Sequence, residues 1–448
     1  MNVQSVARDI DFHSSLAVDA SAAAKYFETA AAALKSLGAP STRGESARKD
    51  AQHLKLRWRA AQENFLHRHV SEIYDTVTGN RSKTLRVCEL LYAVADQFPG
   101  LLPTRQRIQA ERALKQQSAK EGYEIDQGLF ISHVLADPDR GLHLIHAVLK
   151  PKREALEKLA DFQKSAAVDL GEARVERRGK VGHVTLTNPS FLNAEGDRAA
   201  ADLETAVDLA LLDDRIEVGV LRGGPVHHPK YNGRRIFNSG INLTHLYYGQ
   251  IALADFMLER ELGLLNKLYR GHWRSDSYSE QFEDYLEKPW LAAVESHAIG
   301  GGCQLLCVMD RVIATHGSYF NLPASKEGFI PGSAPLRLPR LVGIQLARQS
   351  IFFERKFMAD TPEGHMICDE AVSYEEMDKA IKANTTQMVR AGVTSTVSNR
   401  KALRVGEEPL SVYRRYMATY ARQQALCLYD PKLIENLEHS WKPGSRRM

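Results

Sequence analysis

Two short glycine-bearing stretches hold the residues of this chain best suited to chemistry. In "HAIGGGCQLL" (297–306), Gly300, Gly301 and Gly302 precede an apolar run with helical character. Glycine lets the backbone turn sharply and lets a ligand approach, and a helix starting there offers unpaired N–H groups at its positive end. In "IFNSGINLTHL" (236–246), a short strand ends at Ser239-Gly240 and leaves the Ile241 N–H free to point into a cleft. Two converging N–H donors, from Ile241 and Gly301, would polarise a carbonyl as negative charge develops on its oxygen. A glycine triplet alone marks a tight strand-to-helix packing turn equally well.

A third candidate is Arg260 in "ALADFMLERELGLLNKL". It falls in helical register with Met257 and Leu264 on a stripe that also carries Leu253 and Leu268. An arginine on a buried face needs an anion or several acceptors. Either it serves a reacting group, or it forms a salt bridge to an acid such as Glu195 or to a subunit partner. Upstream, "VHHPKYNGRRIF" gathers His227, His228, Lys230, Arg234 and Arg235, a loop suited to phosphates or simply a solvated charge cluster.

The elements that must position these residues change character along the chain. Up to about Leu170, segments such as "AAAKYFETAAAALKSL" show apolar residues at helical spacing and few β-branched runs, so residues 1–171 read as an all-helical domain. From "ARVERRGKVGHVTLTNP" onward a hairpin turn at Gly179-Lys180 opens an alternation: helix "DRAAADLETAVDLALLDD", strand "IEVGVLRGG", the Arg260 helix, strand "PWLAAVESH", then the glycine run. That order predicts an α/β unit with crossover connections over residues 172–448, its closing helices included.

With 448 residues and 44% apolar content, two domains are the expectation. The 59 Lys and Arg against 55 Asp and Glu leave a net charge of +4, too small to announce nucleic acid or membrane. No stretch approaches 18 apolar residues, and the N-terminus lacks a signal-peptide core. Five scattered cysteines, Cys303 and Cys307 among them, have no metal-ligand spacing and fit a reducing cytoplasm.

Taken together, "NPSFLNA", "FNSGINL", "ESHAIGGGCQLLCVMDRVIAT", "SYFNLPASKEGFIPGSAPLRLPRLVG" and "CDEAVSYEEMDKAI" resemble the crotonase, or enoyl-coenzyme A hydratase, superfamily from about residue 172 onward. The resemblance implies a β-β-α spiral fold, a homo-oligomer (trimer or hexamer), and an acyl-coenzyme A thioester whose carbonyl sits between the N–H groups of Ile241 and Gly301. It also implies substrate contacts at His228, Tyr231, Gly240, Asn242, Gly302 and Ala324.

Four positions depart from the family. Its hydratases use two glutamates for acid/base work; here those positions are Gln304 and Ala324, and neither an amide nor a methyl group moves protons at neutral pH. Arg260 is one further departure, and another is Glu195, where leucine is usual. It is either a helix-opening acid or an acceptor for phenolic hydroxyls. What remains is stabilisation of a thioester enolate.

With the helical N-terminal third, these departures are similar to the superfamily's cofactor-independent dioxygenase branch, which acts on aryl-acetyl-coenzyme A and dioxygen. Coenzyme A then belongs to the substrate, and no metal or other cofactor is expected. Glu195 would hold a ring hydroxyl, Arg260 would order the substrate or stabilise a peroxide, and Gln304 would sit against the reacting carbon; Ile330, Leu305 or Ile299 would line a dry dioxygen pocket. An isomerase, a thioesterase and a non-catalytic binding protein are the competing readings. The helical third is either a lid over the acyl site or a partner-binding module.

Overall fold

The computed structural model describes residues 10–231, 233–275 and 284–443. They divide into two compact units. One comprises the chain up to Ala147, Thr244–Asp255 and the chain from Met417 onward; the other comprises Val148–Leu243 and Phe256–Tyr416. This division differs from a single cut near residue 171, because the last helices group with the N-terminal ones.

The first unit is helical. Helix Leu16–Ser36 buries Ala23, Phe27, Ala30, Ala33 and Leu34 on one stripe. It packs on the 34-residue helix Glu45–Thr78, where the Trp58 ring lies 5.7 Å from that of Phe27. Gly128, in helix Glu124–Ala136, shows why the C-terminal segment belongs here: a Cβ at that position would lie 2.5 Å from the Ala425 methyl and 2.7 Å from the Ala421 carbonyl. Glu124 ties the third segment in, accepting the Leu253 N–H at 2.9 Å and the Tyr429 hydroxyl.

The second unit is built on a seven-stranded sheet in the order Ala167–Asp169, Ala173–Arg178, Val181–Leu186, Val218–Gly223, Trp290–Val294, Arg311–Thr315, Glu370–Val372. The first three pair antiparallel, turning at Gly179 (φ +60°) as expected, and the rest pair parallel. Parallel neighbours need crossovers. The helix Asp197–Leu212 makes the first, packing Leu203, Val207 and Leu211 with Val175, Val184 and Leu221 in one core. On the opposite face, Met377, Ala380 and Ile381 of helix Met377–Ala391 cover Val220, Leu291, Ala293 and Ile313. Burying each large side chain there is worth about 2 kcal/mol. A small second sheet holds Phe357–Met358, Tyr319–Asn321 and His297–Ile299.

The Arg260 segment does not follow the expected α-helical register. Residues Arg260–Leu265 form a π-helical turn and only Asn266–Arg270 are α-helical. In a π-turn the hydrogen bonds run from i to i+5, so the turn is wider and neighbouring residues are re-aimed. Leu305, one candidate for the dioxygen pocket, is locked in the main core, whereas Ile299 and Ile330 are half-buried.

Candidate active site

The two glycine-bearing stretches lie side by side. Asn238 forms a parallel bridge with Ala298, the Ile299 N–H donating to the Asn238 carbonyl at 3.0 Å. Glu195 forms another with Ile241: its N–H donates to Gly240 O, and its carbonyl accepts from Asn242 N–H, both at 2.7 Å. The turn after the first bridge requires glycine, since Gly240 has φ +82° and a Cβ there would sit 2.9 Å from the Ile299 carbonyl. Among the described residues the Ile241 and Gly301 N–H groups have no hydrogen-bond partner, and both residues are half-buried while their immediate neighbours are buried. Two donors thus stand open on adjacent segments, as an oxyanion site requires.

Beneath them lies a buried charge centre. Arg260, 4% exposed, grips the fully buried Glu195 with two bonds, Nε to Oε2 at 2.6 Å and Nη2 to Oε1 at 3.0 Å. Its Nη2 also donates to the Gly301 carbonyl at 2.9 Å, while Nη1 donates to Glu261 Oε1 at 2.9 Å and to Gln304 Oε1 at 2.7 Å. A guanidinium has five N–H donors in a fixed fork, and these five bonds engage all of them. The salt bridge to Glu195, one of the two alternatives for Arg260, is therefore present, and it lies beside Gly301.

Each partner is held from behind. Asn238 Nδ2 donates to Glu195 Oε1 at 2.6 Å, and Asn238 Oδ1 accepts the Gly240 N–H at 2.6 Å, so one amide fixes both the carboxylate and the oxyanion turn. Glu261 Oε2 accepts from the Ser333 N–H at 2.8 Å and hydroxyl at 2.6 Å, and the Tyr413 hydroxyl donates to the Glu261 carbonyl at 2.7 Å. Ser333 in turn receives Arg337 Nη1 at 2.9 Å, and Arg337 grips Glu408 through two 3.0 Å bonds.

Glycines make room for this centre. A Cβ on Gly301 would lie 2.9 Å from Arg260 Nη2 and 3.0 Å from Glu195 Oε1; one on Gly302 would lie 2.8 Å from Asn238. At Gly332 (φ +48°) it would lie 2.2 Å from Glu261 Oε1 and 2.5 Å from Gln304 Oε1. Glu261 thus occupies space beside Gln304, and the electrostatics explain the amide. A carboxylate at position 304 would be the third around one guanidinium, whereas glutamine accepts from Arg260 and keeps an N–H₂ group that bonds no described residue. Ala324, buried in helix Ala324–Glu327, adds no titratable group.

The predicted coenzyme contacts His228 and Tyr231 belong to a separate aromatic rim. The Tyr231 ring lies 5.6 Å from His228 and 6.0 Å from His297, which stacks on Tyr319 at 5.6 Å. Lys230 and Lys356 stand over the Tyr231 and Tyr319 rings at 5.0 and 4.5 Å. Burial, with Lys230 and Lys356 nearby, pushes the His297 imidazole down to about 4, so it is neutral near pH 7. Its Nε2 is 2.9 Å from the Ser239 hydroxyl, which joins the rim to the oxyanion turn. The basic loop does not act as one patch: Arg235 turns away to the Gly223 carbonyl at 3.1 Å.

Sequence reasoning missed Glu261, Asn238, Ser333, His297 and Tyr319. Glu261 follows Arg260 directly, and adjacent residues on an α-helix do not share a face, so only the π-turn brings both to one centre. Asn238 had a signal, since an Asn two residues before a positive-φ glycine can bond that glycine's N–H.

The sequence profile described as enoyl-CoA hydratase/isomerase matches residues 176–418. The chain is 45% identical over 401 residues to (3,5-dihydroxyphenyl)acetyl-CoA 1,2-dioxygenase of Amycolatopsis orientalis, covering 90% of this chain and 91% of that protein. It is 25% identical over 241 residues to a short-chain-enoyl-CoA hydratase of Clostridium acetobutylicum, covering 53% of this chain and 83% of the hydratase. Among solved structures, an enoyl-CoA hydratase of Mycobacterium avium subsp. paratuberculosis aligns over its whole length with 62% of this chain, at a TM-score of 0.50 and 17% identity. At 401 of 448 residues the similarity to the dioxygenase thus extends into the helical region.

Proposed function

Because the chain belongs to the enoyl-CoA hydratase/isomerase family, we propose that it is a dioxygenase converting (3,5-dihydroxyphenyl)acetyl-CoA and dioxygen to 3,5-dihydroxyphenylglyoxylate and free coenzyme A. The observation that carries this reading is the 45% identity to such a dioxygenase over 90% of the chain. Gln304 and Ala324, at the positions of the hydratase acids, support it: the site has an oxyanion arrangement without two-carboxylate hydration chemistry.

In this mechanism the thioester carbonyl sits between the Ile241 and Gly301 N–H groups. Loss of one benzylic proton gives an enolate, which those donors stabilise. The enolate passes an electron to dioxygen, and recombination forms a peroxide on the same carbon. The peroxide attacks the thioester carbonyl and coenzyme A leaves as thiolate. The cyclic intermediate then collapses with loss of the second benzylic proton, one oxygen atom remaining on each carbon of the 2-oxo acid.

Glu195 Oε1 and Oε2 already accept three N–H groups, and a carboxylate has about four lone-pair sites, so one remains for a ring hydroxyl. Gln304 directs its free N–H₂ toward the reacting carbon, and Arg260 holds Glu195 and Gln304 in place. Gly240, Asn242 and Gly302 shape the oxyanion turn, Ala324 leaves space for the acyl group, and His228 and Tyr231 meet the nucleotide end. Independence of metal or other cofactor, and assembly as a trimer or hexamer, are part of the same reading.

The test is oxygen-electrode consumption by chelator-treated protein given (3,5-dihydroxyphenyl)acetyl-CoA, with free thiol release followed in parallel. Matched oxygen uptake and thiol release are expected. Thiol release without oxygen uptake would make the protein a thioesterase, and neither signal would overturn the reading.

A further inference from the structure

A second site of opposite character lies on the other face of the main sheet. Strand register places Arg174, Thr185 and Arg222 in one cross-strand row and Glu176, His183 and Val220 in the next. Helix Met377–Ala391 packs on this face over Val220, Leu291, Ala293 and Ile313, and its Asp378 reaches Arg222. Beside it a cavity of roughly 60 Å³ is lined by polar groups, among them Arg174, Arg178, His183, Thr185, Arg222 and Arg235.

The ion pairs here leave one cation over. Arg178 binds Glu176 through two bonds, Nε at 3.0 Å and Nη2 at 2.9 Å, and Arg174 approaches the same carboxylate at 3.8 Å. Arg222 donates to the buried Glu295 at 2.9 Å and to Asp378 at 2.5 Å. Half-buried Arg235 has no carboxylate within ion-pair distance among the described residues, and its one hydrogen bond, to the Gly223 carbonyl at 3.1 Å, leaves most of its fork unused. The Thr185 hydroxyl and the His183 ring likewise have no hydrogen-bond partner among the described residues.

We propose that this cavity binds a phosphate group, as inorganic phosphate or a small phosphomonoester, held by Arg235, Thr185 and His183 at a site separate from the acyl-coenzyme A site. A guanidinium fork matches phosphate geometry, and a cavity of this size admits one tetrahedral oxyanion or a few waters. Glu176 also faces the cavity, but its charge is offset by Arg178 and Arg174. The phosphate would neutralise the surplus cation at the base of the oxyanion turn, since Arg235 immediately precedes "IFNSGI".

Calorimetric titration of the full-length protein with inorganic phosphate at fixed ionic strength tests this. Saturable one-to-one binding is expected, weakened at least tenfold, about 1.4 kcal/mol, in Arg235→Gln and measurably in Thr185→Val, with exposed Arg153→Gln as the unaffected control. Circular dichroism melting checks that the variants fold, and Thr185→Val decides the matter if Arg235→Gln does not. Absence of binding, or binding that neither variant alters, would overturn the proposal. Displacement of phosphate by coenzyme A but not by dephospho-coenzyme A would also overturn it, by assigning the cavity to the coenzyme's own phosphate.

Discussion

Arg260 and Glu195 form a two-pronged ion pair closed to solvent, directly beneath the glycine whose N–H is one of the two open donors. Removing Arg260 would leave both Glu195 and Glu261 buried without their shared cation, and removing one partner of a buried pair costs about 3–5 kcal/mol. Arg260→Gln is therefore expected to lose most oxygen consumption and to unfold earlier in urea, while the folded fraction still binds coenzyme A. Turnover equal to the parent protein would remove Arg260 from the mechanism.

Gln304→Glu introduces a third carboxylate around the same guanidinium. The neighbouring carboxylates should raise the affinity of the added acid for a proton, yet while it stays ionised it opposes Glu195 and Glu261, and only its protonated form resembles the original amide. Oxygen uptake should thus fall roughly tenfold or more at neutral pH, equivalent to at least about 1.4 kcal/mol, and recover as pH is lowered. A flat pH profile parallel to that of the parent would refute this account of the amide.

Gly332→Ala should be far more damaging than a typical glycine replacement. Its Cβ would collide with the Glu261 and Gln304 side-chain oxygens, whereas Gly317, also at positive φ (+75°), has nothing within 4 Å. The expected loss is about 1 kcal/mol for Gly317→Ala, from left-handed strain alone, and about 3 kcal/mol for Gly332→Ala, with activity lost only in the latter. Equal denaturation midpoints would contradict the packing described.

Acid stability should depend on Glu408. Burial alone would raise this carboxyl, but Arg337, Arg270 and Arg340 outweigh it and hold it at about 2, against 4.5 unfolded. A depressed carboxylate contributes stability above its unfolded value, and that contribution is lost as pH falls from 4.5 through about 2. The contribution at neutral pH is on the order of 3 kcal/mol. Glu408→Gln should be less stable at neutral pH, with a flatter dependence over that window; an unchanged acid limb would exclude Glu408 as a source.

At the rim, Lys230→Ala and Lys356→Ala are expected to raise KM for the thioester several-fold while leaving kcat nearly unchanged. The effect should shrink as salt is added. A fall in kcat at constant KM would place these lysines in the chemistry instead.

Much of the architecture was legible because local periodicity and turn chemistry agree with the fold. The Gly179 hairpin, the helix after Gly196 and the strands at Val218 and Trp290 all have the elements their patterns predict. The turn between the two glycine-bearing stretches was legible for a similar reason, since glycine at Gly240 is required by a local close approach. The charge centre was only half legible. Arg260 announced itself as a charge on an apolar stripe, but Glu261 was invisible while the segment was read with an α-helical period. Long-range contacts such as Glu261 to Ser333 and Arg337 to Glu408 leave no trace in spacing. The grouping of the last helices with the first was equally hidden, because Gly128 is an unremarked glycine until Ala425 is seen against it.

That grouping bears on how the protein is made. The helical unit begins with the first segment of the chain but includes residues from Met417 onward, including the partners of Gly128 and Glu124. At roughly 5–20 residues per second, translation leaves its N-terminal helices waiting on the order of tens of seconds for the helix that completes their core. During that interval an apolar face stays open on the nascent chain, a ready substrate for chaperones and for misassembly between neighbouring ribosomes.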